Sequence, residues 1–461
     1  MFGSSGCHYT QADNATYGGK ERRDGSDRLH RELSCNRQLV VSLYLKPREG
    51  IEALRYGQPD RLRVVRNCLV TMIFASVFIQ RFAVYAGGTS VSLILFVNLG
   101  AIGVLSIRQQ TSVHPFRAAL VFLFIAYVSL CVIFDATGWT SAVFVIATYV
   151  PFAFVLRSGD ALFMDCLRAY RSMVLVCAIL GIMQFLLQFV ISNSLLFTFK
   201  DHLPAALLMK NFNTFQPLTY GSPLHKSNGF FMIEASTFSQ YVAVAVIIEL
   251  LFFQVKWRFA VYGAALLFSY SGTGLIALVL TPGILISRRS YSTVVALALF
   301  ASLVLATSQL WHLDVMEQRA AEINSTGSSG YGRFIAPAEL IARYQLPRAH
   351  DLLFGVGPGS IRPYGLLMPY ETNDPAWAKV LFEYGLVGCL LFWPMFIVAL
   401  FHNSPSAWLS MALMIGFLTF GGEFLDPEFQ TLLLVFCVLP KRATSSRLSM
   451  RPPMRIRQRT A

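Results

Sequence analysis

The sequence predicts an all-α, polytopic membrane protein with about twelve spans, and three observations predict it. The chain is 55% hydrophobic and 14% charged, with a mean hydropathy of +0.53; soluble domains carry roughly 25% charged residues. Apolar runs close to the roughly 20 residues that cross a bilayer recur along most of the chain. The cations alternate with them. Residues 1–66 hold 12 Lys and Arg and residues after 440 hold 7, whereas the short turns at 87–89, 135–139 and 422–426 hold none. A net charge of +13 distributed in this way is a topogenic signal and excludes a nucleic-acid groove. It places both termini on the cytoplasmic side.

Residues 1–66 are polar and basic, without a secretory signal, and are expected to be a disordered cytosolic tail. Nine spans fill 67–308, over 67–86, 90–107, 117–134, 140–156, 172–192, 233–254, 259–270, 272–287 and 291–308. The pair 259–270 and 272–287 is interrupted at Ser269-Tyr270-Ser271-Gly272-Thr273-Gly274. Such a break at membrane depth has to face protein or a water-filled cavity, because bare backbone in lipid is costly. Three further spans, 378–401, 407–421 and 427–440, fill residues 378–440, and 441–461 form a second basic cytosolic tail.

Two outer loops, 193–232 and 309–377, exceed the length of a connector. The second carries amphipathic patterns at Trp311–Ile323 and at Phe334–Leu346, the latter interrupted by Pro337. Two large outer loops point to activity at the outer face. The eight cysteines lie outside both loops and form no C-x-x-C spacing, so they read as helix-packing residues. No metal or cofactor is expected.

The stretch from Gly332 to Phe392 resembles the O-antigen ligase and O-antigen polymerase family. The resemblance rests on an Arg in a loop helix (Arg333 in Ser329-Gly330-Tyr331-Gly332-Arg333-Phe334), then a Gly-rich turn (Gly355-Val356-Gly357-Pro358-Gly359). A polar pair, Asn373-Asp374, comes next, heading a helix that contains Gly385-Leu386-Val387-Gly388. Weaker matches lie at Gly229–Ser236 and at the Ser-Gly-Thr-Gly break 271–274. The ligase pattern has a His eleven residues before its first glycine, where this chain has Asp374, and this departure favours the polymerase side. Many members carry an Arg after the Ser of the helix break, where this chain has Gly272.

The resemblance implies a helical fold of the type C glycosyltransferase kind in the bacterial inner membrane. It implies transfer of a glycan from polyprenyl diphosphate to a lipid-linked repeat unit, without metal or nucleotide. The expected partners are the polyprenyl-diphosphate-linked oligosaccharide, membrane lipids, a flippase and a chain-length regulator, with no nucleic acid. A ligase that joins glycan to lipid A core is the nearest alternative. A polysaccharide transporter or flippase is the alternative from another class, but it would need a polar path across the whole bilayer.

The residues divide by role. Arg333 is expected to bind diphosphate oxygens and stabilise the charge of the leaving group. Asp374 is expected to take the proton of the acceptor hydroxyl, although Asp before Pro is also a helix N-cap signal. Glu234 opens the sixth span and is expected to meet sugar hydroxyls or an Arg. Arg319, Arg343, Arg348 and Arg362 are expected to assist in binding, and Gly355, Gly357 and Gly359 to aim amides at an anion. Glu383 is an intramembrane acid about one turn past Lys379, so it is either functional or paired with that lysine.

Overall fold

The computed structural model describes residues 48–440, apart from 87–88, 135–137, 158–159, 192–195, 200–202, 211, 219–221, 282–328 and 371. The chain divides into two units, Met1–Asp60 and Arg61–Ala461, and the second holds the helical bundle. The expected span 291–308, the amphipathic pattern Trp311–Ile323, Arg319 and most of both tails lie outside the described residues.

The molecule is mainly helical, and every other expected span contains a helix. α1 (Arg48–Phe78) leads into a hairpin of β1 (Ala83–Ala86) and β2 (Thr89–Ser92). α2 (Leu93–Ile107), the short β3 (Thr111–Val113), α3 (Pro115–Phe134) and α4 (Trp139–Tyr149) come next, and β4 (Phe154–Leu156) pairs with β3. α5 (Asp160–Leu187) precedes the first long loop, which leads to α6 (Ala235–Phe252). After it stand α7 (Trp257–Ser269) and α8 (Gly272–Leu280). The second loop folds into α9 (Ser329–Phe334), α10 (Ala336–Leu340), α11 (Ala349–Phe354) and α12 (Ile361–Gly365). α13 (Ala376–Phe401), α14 (Ala407–Thr419) and α15 (Pro427–Leu433) close the bundle.

Among the described residues, four helices are long and apolar enough to cross a membrane: Pro115–Ile133, Leu162–Leu187, Ala235–Phe252 and Ala376–Phe401. α6 is the axis of the bundle. Of its residues 78% are buried, against 28% of the most apolar stretch of Pro115–Ile133. An all-round apolar helix belongs inside a bundle. α5 runs antiparallel to it, because Arg171 meets Glu249 at one end and Gly181 packs on Phe238 at the other.

Three expectations are corrected. The span expected over 67–86 is helical only to Phe78. Beyond it Val84, Tyr85 and Val91 favour extended chain, and Ala86 opposite Thr89 closes a two-residue hairpin. Pro337 does not interrupt a helix but lies in the first turn of α10, where its missing N–H costs nothing. The Asp374-Pro375 pair is not a side-chain N-cap: Pro375 takes the cap position and Asp374 has φ +44°. A capping side chain needs the extended backbone that Asp426, before Pro427, does adopt; its carboxylate accepts from Glu428 N–H at 3.2 Å.

The break at 269–274 occurs as expected. α7 ends on a left-handed Tyr270, and α8 begins at Gly272 against α6. Thr273 Oγ1 lies 2.9 Å from Ser239 Oγ, and Gly274 N–H donates to that same oxygen at 3.1 Å. A Cβ on Gly274 would sit 2.3 Å from the Ser239 carbonyl oxygen, so this contact admits only glycine. The broken backbone faces protein.

Candidate functional site

Three segments far apart in sequence meet at one cavity of about 740 Å³. Arg333, Asp374 and Glu234 all line it, as do Arg362 and Lys210 and the carboxyl groups of Glu423, Asp426 and Glu428. The residues named as catalytic from the sequence are thus brought together, with one of the four assisting arginines.

Each is held by a local device. The chain before α6 is clamped from two sides. Gln184 on α5 donates to Asn228 at 2.8 Å and accepts from Ser227 at 3.0 Å, and Arg81 Nε donates to the Met232 carbonyl at 2.9 Å. Glu234 then takes the N-cap position of α6 without capping it. Its carboxylate accepts instead from the Asn213 N–H at 3.1 Å and the Ser236 hydroxyl at 3.0 Å. α9 carries Arg333 in its last turn, and the Gly332 carbonyl accepts from the Asn373 N–H at 2.8 Å. This bond sets Arg333 beside the Asp374 segment. The Asp374 carbonyl accepts from the Gly422 N–H at 3.1 Å, while its carboxylate accepts from the Thr372 hydroxyl. The carboxylate also lies 4.0 Å from Lys379 Nζ.

Arg333 is not consumed by a structural ion pair. Glu339, the obvious neighbour in sequence, accepts the Tyr331 hydroxyl at 2.7 Å. Among the described residues Arg333 makes no salt bridge, and its buried Nε has no hydrogen-bond partner. Burial lowers its pKa, and the charges of Glu234 and Glu423 oppose that shift. A guanidinium stays charged in the physiological range.

Glu423 and Asp426, which the family resemblance does not single out, are made part of the cavity wall by the fold. Glu423 is 2% exposed. Burial raises both carboxyls, and Glu423 is raised further by the charge of Asp426, to which it is hydrogen-bonded. Glu428, also buried, accepts the Ser92 hydroxyl at 3.0 Å. Two carboxyls this close share a proton, as like charges at short range cannot both ionise. Glu423 and Asp426 stand on one turn, in which the Leu425 N–H donates to the Gly422 carbonyl at 3.2 Å, and their shared burial has no signature in a linear sequence.

The other expected residues within the described chain lie elsewhere, and Arg319 is outside it. Arg343 and Arg348 are exposed, with Arg343 over the Tyr344 ring at 5.5 Å and Arg348 paired to Asp351 at 3.4 Å, and neither lines the cavity. Glu383 is fully buried in α13, with Lys379 Nζ at 3.1 Å, and does not line the cavity. The Gly-rich turn is committed to structure. α13 breaks at Gly385, where φ is +65°, and the segment before the break leaves four terminal carbonyls needing partners. Each finds one: Leu381 accepts from Gln345 Nε2 at 2.6 Å, Phe382 from Val356 N–H at 2.9 Å, Glu383 from Gly357 N–H at 3.1 Å and Tyr384 from Tyr127 OH at 2.9 Å. Gly355 N–H donates to Asp351. The amides of Gly355 and Gly357 are therefore not directed at an anion, and Gly355, Gly357 and Gly359 do not line the cavity.

No protein-family model matches the chain, and comparison with curated proteins finds no match. Among the described residues no cluster of His, Cys, Asp and Glu has the makings of a metal site.

Proposed function

We propose that the protein transfers a glycan from a polyprenyl diphosphate carrier to the sugar end of a lipid-linked repeat unit, as a polysaccharide polymerase of the inner membrane. One observation carries the reading. An arginine without an ion-pair partner among the described residues and two carboxylates, from three separate segments, line a single cavity among apolar helices. The resemblance around Arg333 and Asp374 supports it.

In this mechanism a hydroxyl of the acceptor sugar attacks the anomeric carbon of the donor glycan. Asp374 takes the hydroxyl proton as the new bond forms. The bond from the anomeric carbon to the diphosphate oxygen breaks, and polyprenyl diphosphate departs with its electron pair. Arg333, with Arg362 in the wall of the same cavity, stabilises the charge that grows on that oxygen. Glu234 and the proton-sharing pair Glu423 and Asp426 supply hydrogen bonds to sugar hydroxyls. A single displacement inverts the anomeric centre.

Deletion of the gene, followed by analysis of lipid-linked glycans, tests the reading. Single repeat units on polyprenyl diphosphate with no long polymer are the expected result. Full-length polymer retained on the carrier would make the protein a ligase. Arg333→Ala is expected to abolish long polymer at a normal membrane level; full polymer length in that variant would remove Arg333 from the mechanism.

A further inference from the structure

A second polar site lies at the other end of α6. Glu249 is 15 residues beyond Glu234, so on a helix rising 1.5 Å per residue it sits about 22 Å from the cavity wall. There the end of α6 and the start of α7 meet the side of α5 at Arg171 around a pocket of about 630 Å³. Arg171, Glu249, Phe253, Lys256, Trp257 and Arg258 are in its wall.

The pocket is built around one neutralised pair and two surplus cations. Arg171 Nη1 lies 3.1 and 3.3 Å from the two oxygens of Glu249, which is 2% exposed, and the guanidinium sits 3.7 Å over the Phe253 ring. The Arg171 backbone is fixed as well, its carbonyl accepting the Tyr262 hydroxyl at 2.6 Å. Glu249 is thus offset by Arg171, and Lys256 and Arg258 form no salt bridge among the described residues, which leaves the pocket with a surplus of positive charge. Lys256 is exposed, and Nη1 of Arg258 is buried without a hydrogen-bond partner among the described residues. These two cations stand at the start of α7, whose N-terminal dipole also favours negative charge.

The apolar part of the site identifies the ligand class. Trp257 is 60% exposed and Val255 39% exposed beside the cations. α5, which brings Arg171 to the pocket, carries Val176, Ile179, Met183 and Leu186 as an exposed stripe at helical spacing. A soluble phosphate would have no use for such a surface, whereas a lipid with a charged headgroup and acyl chains matches both parts. We propose that this pocket holds the phosphate-bearing headgroup of an anionic glycerophospholipid, with its acyl chains along α5 and Trp257. The site is independent of the glycan-transfer reading.

Native mass spectrometry of the full chain, released from detergent with equal phosphatidylglycerol and phosphatidylcholine, provides the test. Phosphatidylglycerol is expected to be retained preferentially. In K256Q/R258Q that retention should fall about tenfold or more, the scale of two cations at an anionic surface. R61Q/R63Q, which removes two exposed cations from α1, should leave it unchanged. Equal retention of both lipids, or equal loss in the two double variants, would overturn the proposal in favour of diffuse attraction. Displacement of the lipid by inorganic phosphate would overturn the lipid source in favour of a free anion. Should K256Q/R258Q lower the melting temperature, K256Q alone, at an exposed side chain, is expected to cut retention about fivefold, the scale of one cation.

Discussion

Asp374 combines a rare backbone with a place in the cavity wall. A left-handed φ is uncommon for any residue but glycine, and Asp and Asn tolerate it best. Held by Gly422 and Thr372, the residue keeps this conformation because its neighbours require it, and such positions gather at functional sites. Asp374→Asn should therefore fold and lose polymer synthesis by roughly 100-fold or more, the scale of a general base. Polymer of normal length and amount from a stable Asn variant would remove the base role. Asp374→Ala should in addition cost about 1 kcal/mol of stability through backbone strain, read as a lower melting temperature in detergent.

Lys379 links the site to the helix interior, 3.1 Å from Glu383 and 4.0 Å from Asp374. Removing one partner of a buried pair strands the other charge, at a cost of about 3–5 kcal/mol. Lys379→Met should be strongly destabilised, and adding Glu383→Gln should restore most of the loss. A double-mutant cycle by denaturation in detergent measures the coupling, and additive effects would disprove it.

At the scale of the element, α13 is the most informative. Its sequence reads as one long apolar span, and the expected G-x-x-G lies inside it. The fold instead uses Gly385 to end one helical segment and start another, with the freed carbonyls met from α3, from the turn after α11 and from Gln345. A Cβ at Gly385 would meet Gly355 N at 2.4 Å and Leu353 O at 2.5 Å, both rigid backbone atoms. Gly385→Ala should cost about 3 kcal/mol or more and reduce the amount of protein in the membrane. Gly103→Ala, in α2 with nothing within 4 Å of its Cβ, should be neutral or slightly stabilising. Equal membrane levels for the two variants would contradict the role given to the break.

At the scale of the whole molecule, the cavity sets a pH dependence. An ordinary carboxyl titrates near pH 4 when unfolded. Burial holds Asp426 up at about 7 and raises Glu423 well above its ordinary value. The folded state thus binds more protons than the unfolded state between these limits, and stability falls as pH rises from about 4 through about 7. Melting temperatures across that range should show this slope, and Glu423→Gln should flatten it. An unchanged slope in the variant would place its origin in other groups.

Much was legible in the sequence because the bilayer restricts what a chain can do. Apolar runs of fixed length, cations at alternate turns and a Ser-Gly-Thr-Gly break are local patterns, and helices occupy every expected span within the described residues. The places of Arg333, Asp374 and Glu234 near loop-to-helix boundaries were also legible, whereas their meeting in one cavity was not. The purpose of the Gly-rich turn was not, because the Val356 and Gly357 amides answer the Phe382 and Glu383 carbonyls 26 residues later in the chain. Nor was the pairing of Glu423 with Asp426, the salt bridge between Arg171 and Glu249, or the exclusion of Arg343 and Arg348 from the cavity.

The linear chain alone dictates the medium, the number and order of the apolar segments, and the residue types available for chemistry at loop ends. These come from composition and spacing, which act along the chain. Closure of the bundle dictates the rest: which of those residues share a cavity, which are neutralised by a partner, and where a helix breaks. Those outcomes depend on satisfying buried charges and carbonyls across segments that meet only when the helices pack.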